Sequence, residues 1–199
     1  FSYTLNDGTK ATNYDITVVK GTLTVTALTD KVTVTITEHS GEYEYDSTEK
    51  TVTGYDVVIS NPLYTEDDFT FSGDATIKRT QAGTYDMELT AADFTNISTN
   101  FSNVEFVIKD GTLKINKTTI TITADSDTKV YDATALTKDS YTNTAPAGTD
   151  TIASVTVTGS QTVVGTSKNV ASDAIILNKD GEDVTASYKI TYVEGELKV

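Results

Sequence analysis

The sequence predicts an all-β chain built from tandem copies of one domain. Threonine is the commonest residue, and with Val, Ile and Tyr it fills short alternating segments, because β-branched and aromatic side chains suit half-buried strands. One pattern, a strand followed by a glycine turn and a second strand, occurs three times. Its glycines, Gly21, Gly111 and Gly195, lie 90 and 84 residues apart. A period of that length corresponds to a whole domain rather than to a solenoid repeat.

The repeat divides the chain into three parts. Residues 1–27 match only the closing part of the pattern, with a short strand predicted over residues 1–5. We predict that residues 1–27 are the C-terminal hairpin of a preceding repeat, which either belongs to a domain outside this chain or docks on the next domain. Residues 28–116, here called the first unit, and residues 117–199, the second unit, are each predicted to be a complete β repeat domain.

The strands of the first unit follow from alternation of apolar and polar residues. Val32, Val34 and Ile36 alternate with threonines, which predicts a half-buried opening strand. Further alternating segments precede the closing pattern, and turn residues such as Asn61-Pro62 separate them. These segments are residues 51–60, 74–79 and 85–90.

The second unit repeats this order. Ile120 and Ile122 correspond to the opening strand, and residues 129–134 correspond to residues 44–48 of the first unit. The join between the units, from Ile115 to Ile120, lacks the Gly, Ser or Pro content of a flexible or spacer linker. The two units are therefore predicted to follow each other closely in an elongated array.

No segment longer than a turn has helical periodicity. We therefore predict tandem antiparallel β-sandwich domains of the Ig-like type. The alternative is a β-grasp-like α+β repeat, whose single helix would lie within residues 61–72 or 134–145.

Composition excludes several classes of function. The net charge of −14 argues against binding nucleic acid, because few cations are present to neutralise phosphates. No apolar run approaches the length that spans a membrane, so we expect no membrane insertion in this chain. The chain has no cysteine, which excludes disulfides and Cys-based metal sites.

No set of residues predicts an active site, and we expect the chain not to be an enzyme. The single histidine, His39, lies in a predicted turn, and the sequence has no Gly-x-Ser-x-Gly motif. Cofactors are not expected, with calcium as the one candidate, because Ca²⁺ takes six to eight oxygen ligands. The candidate calcium ligands are Asp125, Asp127, Asn178 and Asp180. Asp and Asn are also ordinary turn residues, which is the alternative explanation.

Tyrosine is the one residue type here that offers binding chemistry. Tyr43, Tyr45 and Tyr131 could present rings for stacking on a sugar or for protein contact. The alternative is packing in the core and across strands, which is favoured because Tyr45 and Tyr131 recur at matching positions.

These motifs resemble the MBG and YDG families of extracellular bacterial repeats. The resemblance is carried by Lys-Val-Tyr-Asp-x-Thr at 129–134, by Ala-Gly-Thr-Tyr at 82–85 with its counterpart at 164–167, and by residues 13–25. The glycine that follows Tyr-Asp in the family is Ser47 in one unit and Ala133 in the other. The resemblance implies a secreted or wall-anchored bacterial surface protein of the adhesin type, and the MBG name connects such repeats with mucin.

The expected function is that of structural stalk or spacer repeats in a bacterial cell-surface, adhesin-like protein. The alternative is an adhesion module that binds mucin or another host glycan. The expected partners are therefore neighbouring repeats of the same protein and, in the alternative, host mucin or glycan. The expected localisation is extracellular, at the bacterial cell surface and anchored to the wall through parts outside this chain.

Overall fold

The computed structural model of the chain describes residues 2–199 and confirms the all-β prediction. Within these residues, helix occurs only as four 3₁₀ turns of three residues each. The segments 61–72 and 134–145, where the α+β alternative placed a helix, hold one such turn, Glu66–Asp68, and no α-helix. The α+β alternative is therefore wrong for this chain.

The first unit contains ten strands. They are β1 (Val32–Glu38), β2 (Gly41–Glu44), β3 (Lys50–Thr53), β4 (Tyr55–Ile59), β5 (Phe69–Phe71), β6 (Thr76–Arg79), β7 (Gly83–Asp86), β8 (Phe94–Asn96), β9 (Val104–Lys109) and β10 (Thr112–Asn116). The predicted alternation of the opening strand is confirmed, since Val32, Val34 and Ile36 are fully buried.

Two three-stranded sheets form the body of this unit, with the orders β4-β1-β9 and β2-β10-β7. The pairs β3-β6 and β5-β8 complete it. The closing strand β9 runs parallel to the opening strand β1, and β10 runs parallel to β2. The predicted antiparallel pairing is therefore found for β1 with β4, β7 with β10, β3 with β6 and β5 with β8, whereas the two closing strands pair in parallel with β1 and β2.

The second unit contains seven strands with a related plan. They are β11 (Thr118–Ala124), β12 (Asp127–Thr128), β13 (Tyr141–Asn143), β14 (Thr151–Thr158), β15 (Thr166–Leu177), β16 (Tyr188–Val193) and β17 (Gly195–Lys198). Its sheets have the orders β13-β11-β16 and β12-β17-β15-β14. As in the first unit, the two closing strands pair in parallel with strands from the start of the unit.

The repeated glycine pattern is a crossing between sheets and not a hairpin. In each complete unit the strand before the glycine belongs to one sheet and the strand after it belongs to the other. A Cβ on Gly111 would collide with the backbone oxygen of His39. A Cβ on Gly195 would lie 2.5 Å from the backbone oxygens of Ala124 and Asp125. These positions are glycine because the crossing passes directly against the backbone of the opening strand.

Residues 2–27 lack the hairpin that the sequence predicts there. They form no strand, and their only helical element is the 3₁₀ turn Ala11–Asn13. Phe1, the first residue of the strand predicted over 1–5, lies outside the described residues. Val19, Leu23 and Val25 are almost fully exposed, so these three side chains make no packed contact with the first unit. The physical reason is that closing strands pair in parallel with opening strands, and no free opening strand is available within residues 2–199. The assignment of this segment to a preceding repeat remains a prediction.

One hydrophobic core continues from the first unit into the second. It includes the aromatic side chains of the first unit together with Ile120, Ile176, Val184 and Tyr188 of the second. In the first unit, Phe69, Phe71, Phe94 and Phe106 stack or meet edge to face with ring centroids 4.9–6.0 Å apart. A smaller cluster in the second unit is built from Ile122, Ala124, Ala171 and Ala174.

Candidate functional site: the junction between the units

The most elaborate polar site in the described chain lies where the two units meet. Tyr45 follows β2 in the first unit, and Tyr188 begins β16 in the second. Both hydroxyls donate to the same oxygen, Oδ2 of Asp150, at 2.7 Å. The two rings also meet edge to face, with their centroids 5.3 Å apart. One carboxylate therefore joins side chains that are 143 positions apart in the sequence.

This Tyr–Asp–Tyr cluster is removed from solvent. Tyr45 is 3% exposed, Tyr188 is 4% and Asp150 is 6%. Burial raises the pKa of both phenols well above the usual tyrosine range, and the hydrogen bonds to Asp150 raise it further. Both hydroxyls consequently keep their protons and act as donors to Asp150 throughout the ordinary pH range.

Backbone groups hold the cluster in place. The Tyr188 hydroxyl accepts from the amide of Ala147 at 3.0 Å, and the Asp150 amide donates to the Ala147 carbonyl at 3.0 Å. The Tyr45 amide donates to the carbonyl of Asn116, the last residue of β10, at 2.9 Å. The other oxygen of Asp150, Oδ1, has no hydrogen-bond partner among the protein atoms.

Two serines extend the contact between the units. The Ser187 hydroxyl accepts from the Ala82 amide at 3.0 Å, and the Ser47 hydroxyl accepts from the Thr149 amide at 3.3 Å. Gly148, at φ 51°, passes so close to Ser47 that a Cβ would collide with its hydroxyl. The junction is thus built from side chain to backbone hydrogen bonds in both directions.

The turn beside Tyr45 is an Asx turn with a residue in the left-handed conformation. Oδ1 of Asp46 accepts from the amide and the hydroxyl of Thr48, and Ser47 has φ 66°. The hydrogen bond from Lys50 lowers the pKa of the Asp46 carboxyl to about 2, with Thr48 contributing in the same direction. Ser47 therefore takes the left-handed conformation that the family glycine would favour.

The second unit repeats this turn after Tyr131. Asp132 accepts from the amide and the hydroxyl of Thr134, and Ala133 has φ 63°. The hydrogen bond from Lys129 holds the pKa of the Asp132 carboxyl well below its usual range. The two turns are equivalent in conformation and in electrostatics, although one lies at the junction and the other at the opposite pole of the second unit.

Comparison with family models finds one match, which covers the first unit. The model of the MBG domain matches residues 31–117. Residues 31–117 are therefore similar to the MBG domain, and this matched region is called the MBG domain below. The comparisons with curated proteins and with solved structures found no significant match. The match ends at the junction, so that β10 and Tyr45 lie inside the MBG domain, whereas Asp150 and Tyr188 lie beyond it.

A polar cavity of about 330 Å³ lies beside the junction. The MBG domain contributes Tyr45, Ser47, Glu49, Thr80 and Gln81 to its wall, and the second unit contributes Thr149, Asp150, Asn178, Lys179, Asp180, Glu182 and Val184. Two of the predicted calcium ligands, Asn178 and Asp180, are therefore found here. The Asn178 side chain is already engaged, since its oxygen accepts from the amides of Asp180 and Glu182.

The other two predicted calcium ligands lie elsewhere. Asp125 follows β11, where its carboxylate accepts from the Ser140 hydroxyl at 2.6 Å, and Asp127 accepts from the Thr128 amide at 2.8 Å. Neither contributes to the wall of the cavity that holds Asn178 and Asp180. Across residues 2–199 there is no group of three or more His, Cys, Asp or Glu side chains placed to share a metal ion. Calcium binding remains a prediction without a carboxylate cluster to support it.

The three predicted ligand tyrosines have different environments. Tyr45 is buried in the junction and cannot stack on a sugar in this structure, which corrects the ligand role predicted for it. Tyr43 is partly exposed beside the Lys50 ammonium, which lies 5.9 Å from its ring centroid. Tyr131 is 54% exposed. The sequence favoured core packing for both matching positions. Core packing is confirmed for Tyr45 and is wrong for Tyr131.

The single histidine of the chain is paired and not idle. His39 Nδ1 donates to the Thr53 carbonyl at 2.8 Å, and Nε2 lies 3.3 Å from Oδ1 of Asp56. The hydrogen bond to Thr53 is the largest cause of a raised His39 pKa, followed by the hydrogen bond to Asp56. This contact holds the turn at Gly54, which has φ 87° and packs against the imidazole.

We expect His39 to titrate above its ordinary pKa of 6.5. The pairing therefore stabilises the MBG domain fully below about pH 6.5 and is lost as the pH rises through the raised folded-state value. The measurement is an NMR titration of the imidazole protons, which is free of assignment ambiguity because the chain has one histidine. In Asp56→Asn the pKa should fall only part of the way, since Thr53 remains. A wild-type pKa at or below 6.5 would contradict the assigned pairing.

Sequence reasoning missed the groups that matter most at the junction. Asp150 and Tyr188 have no local pattern that marks them, because their significance comes from a contact across units. Glu38 is different, since it continues the inward series of Val32, Val34 and Ile36 and could have been recognised as a buried acid at the end of an alternating strand.

Proposed function

We propose that this chain is a structural spacer of a bacterial cell-surface protein, in which two units form one stiff body. The observation that carries the proposal is the buried Tyr45–Asp150–Tyr188 cluster, which ties the MBG domain to the second unit. A module that only bound a ligand would not need such a contact between units. The proposal includes an extracellular location and no catalytic role.

The short connection between the units also supports the spacer function. β10 ends at Asn116 and β11 begins at Thr118, so a single residue, Lys117, separates the last strand of one unit from the first strand of the next. A core that includes Ile120, Val184 and Tyr188 continues across this connection. Independent motion of the units would expose this apolar surface and break the buried hydrogen bonds.

The contact is head to tail, which suits an extended assembly. The MBG domain uses Tyr45, Ser47 and Ala82, whereas the second unit uses Asp150, Ser187 and Tyr188. Because the two surfaces differ, the contact is heterologous, and such contacts extend in one direction rather than closing into pairs. This geometry is suited to holding a distal part of a protein away from a surface.

A distance measurement between the units tests the proposal. The chain has no cysteine, so spin labels can be placed on Val58→Cys in β4 and Ile175→Cys in β15, both exposed positions. Pulsed electron resonance should give one narrow distance distribution. Asp150→Ala, which leaves both tyrosine hydroxyls without their acceptor, should broaden it. A broad distribution in the otherwise unchanged chain would contradict the spacer function.

The Tyr45 hydroxyl should be measurable in stability. Tyr45→Phe removes a buried donor to a carboxylate, and we expect a loss of about 1–3 kcal/mol in the free energy of unfolding. The matched control is Tyr43→Phe, two residues earlier on β2, where the ring is partly exposed and the change should be close to neutral. Urea denaturation of both variants and of the unchanged chain measures the free energies of unfolding. A Tyr45→Phe variant as stable as the unchanged chain would show that the junction hydrogen bond contributes nothing to stability.

Glycan binding is the second candidate function, and Tyr43 is the observation that favours it. Its ring is partly exposed and the Lys50 ammonium lies over it, 5.9 Å from the ring centroid, so the ring and the cation together form a contact surface for a sugar. Binding of the chain to immobilised mucin, compared with Tyr43→Ala and with an unrelated acidic β protein, tests this candidate. Saturable binding that Tyr43→Ala removes would establish an adhesive role beside the structural one.

A further inference from the structure

The pole of the second unit that carries Tyr131 matches the surface that the MBG domain uses at the junction. Tyr131 corresponds to Tyr45, and each is followed by the same Asx turn with a left-handed residue. The Lys129 amide donates to the Lys198 carbonyl at 2.9 Å, which ties this segment to β17 as β2 is tied to β10. The two poles therefore have the same backbone plan.

The two poles differ in what covers them. Tyr45 is 3% exposed beneath the second unit, whereas Tyr131 is 54% exposed. Val130, Val163 and Val164 are also strongly exposed at this pole. Val163 and Val164 take the places of Gln81 and Ala82, so the uncovered pole is more apolar than its covered counterpart. We call the surface formed by Val130, Tyr131, Val163 and Val164 the distal pole.

We propose that the distal pole is a docking surface for another unit of this fold, which presents the face carrying Asp150, Ser187 and Tyr188. This inference rests on the spacer function proposed above and names the partner that extends it. The Tyr131 hydroxyl would donate to the incoming aspartate as Tyr45 donates to Asp150. The valines would be covered by the apolar residues that surround that aspartate, among them Val184.

The occupant is specified by the junction already present. The second unit meets the MBG domain with a tyrosine, Tyr188, at the start of β16, and the MBG domain has Val104 at the corresponding start of β9. Val104 has no hydroxyl to share with an aspartate, so a unit with the sequence of residues 117–199 suits the distal pole better than a copy of the MBG domain does. The contact would again be heterologous and would continue the chain of units in one direction.

A chain lengthened by one unit tests the inference. A second copy of residues 116–199 is joined directly after Val199, because Val199 aligns with Ile115 and Asn116 must follow it to reproduce the short connection found at the junction. The added copy carries Tyr131→Leu, so that the peptide with the original Tyr131 has a mass of its own. Hydroxyl-radical footprinting read by mass spectrometry then reports the exposure of individual side chains. Modification of Tyr131 should fall by about tenfold, because its exposure is expected to drop from 54% towards the 3% of Tyr45. Tyr43 should be modified equally in both chains and serves as the exposed reference.

A variant of the added unit separates docking from mere crowding. Asp150→Ala in the added copy alone removes the acceptor for Tyr131 and should restore much of its modification. Unchanged modification of Tyr131 in the lengthened chain would overturn the inference. If the spin-label distance across the existing junction is narrow in the same chain, the spacer function stands and only the role of the distal pole fails.

Discussion

Replacing Gly111 with alanine is expected to cost the MBG domain about 3 kcal/mol or more in its free energy of unfolding. The added Cβ would collide with the backbone oxygen of His39 and crowd Glu38, both at the end of β1. Backbone atoms cannot move aside as a flexible side chain can. The collision must therefore shift either the crossing between the sheets or the opening strand on which β4 and β9 are paired.

The other two glycines of the repeat provide one parallel test and one control for this substitution. Gly195→Ala should destabilise the second unit for the same reason, since its Cβ would meet the backbone of Ala124 and Asp125. Gly21→Ala should be close to neutral, because no atom lies within 4 Å of that position. Thermal and urea denaturation of the three variants measure the contrast. A neutral Gly111→Ala, or a Gly21→Ala as harmful as Gly111→Ala, would contradict the crossing as described.

These glycines also show how far the sequence alone could lead. The threefold recurrence predicted two complete units, and the alternation of β1 predicted an opening strand whose apolar residues are indeed buried. The recurrence could not reveal which strands pair. A strand, a glycine turn and a second strand is the ordinary pattern of a hairpin, and nothing local distinguishes it from two strands that leave for different sheets. Parallel pairing of β1 with β9 is a contact between residues 72 positions apart.

The candidate site was hidden for a related reason. Tyr45 and Tyr131 stand in nearly the same local sequence and in equivalent turns, yet one is buried and the other is exposed. The difference arises from what lies against them, which is a property of the neighbouring unit. Asp150 likewise gains its importance only from two tyrosines that reach it from different units. A local pattern can indicate a turn or a strand, but it cannot indicate a contact made across a junction.

The second large effect is expected at Glu38, the one acid at an inward position of β1. Its side chain is buried, and its two oxygens accept from the backbone amides of Leu89 at 2.9 Å and Gly111 at 2.7 Å. Glu38→Ala would leave two buried donors without partners and open a cavity. We expect a loss of about 3–5 kcal/mol in the free energy of unfolding, since each unsatisfied donor costs about 1–3 kcal/mol.

The second unit explains why the MBG domain needs this acid. There, strand pairing continues to Asn169 and Gly195, and Ala124 occupies the position of Glu38. In the MBG domain, β7 ends at Asp86 and the chain turns at Glu88, which has φ 67°. The amide of Gly111 is thus left without a strand partner, and the carboxylate of Glu38 replaces it.

Two readouts test the role of Glu38. Urea denaturation should separate Glu38→Ala from Glu105→Ala, the control, whose carboxylate forms a half-exposed ion pair with Lys31 and should matter by less than about 1 kcal/mol. Hydrogen exchange should show the amides of Leu89 and Gly111 losing protection in Glu38→Ala alone. The free energy of unfolding of Glu38→Gln should lie between those of the unchanged chain and of Glu38→Ala, because one of the two acceptor oxygens remains. If both amides stayed protected in Glu38→Ala, the carboxylate would not be what satisfies them, and the crossing at Gly111 would have to be held by the packing of β1 against β9 and β10.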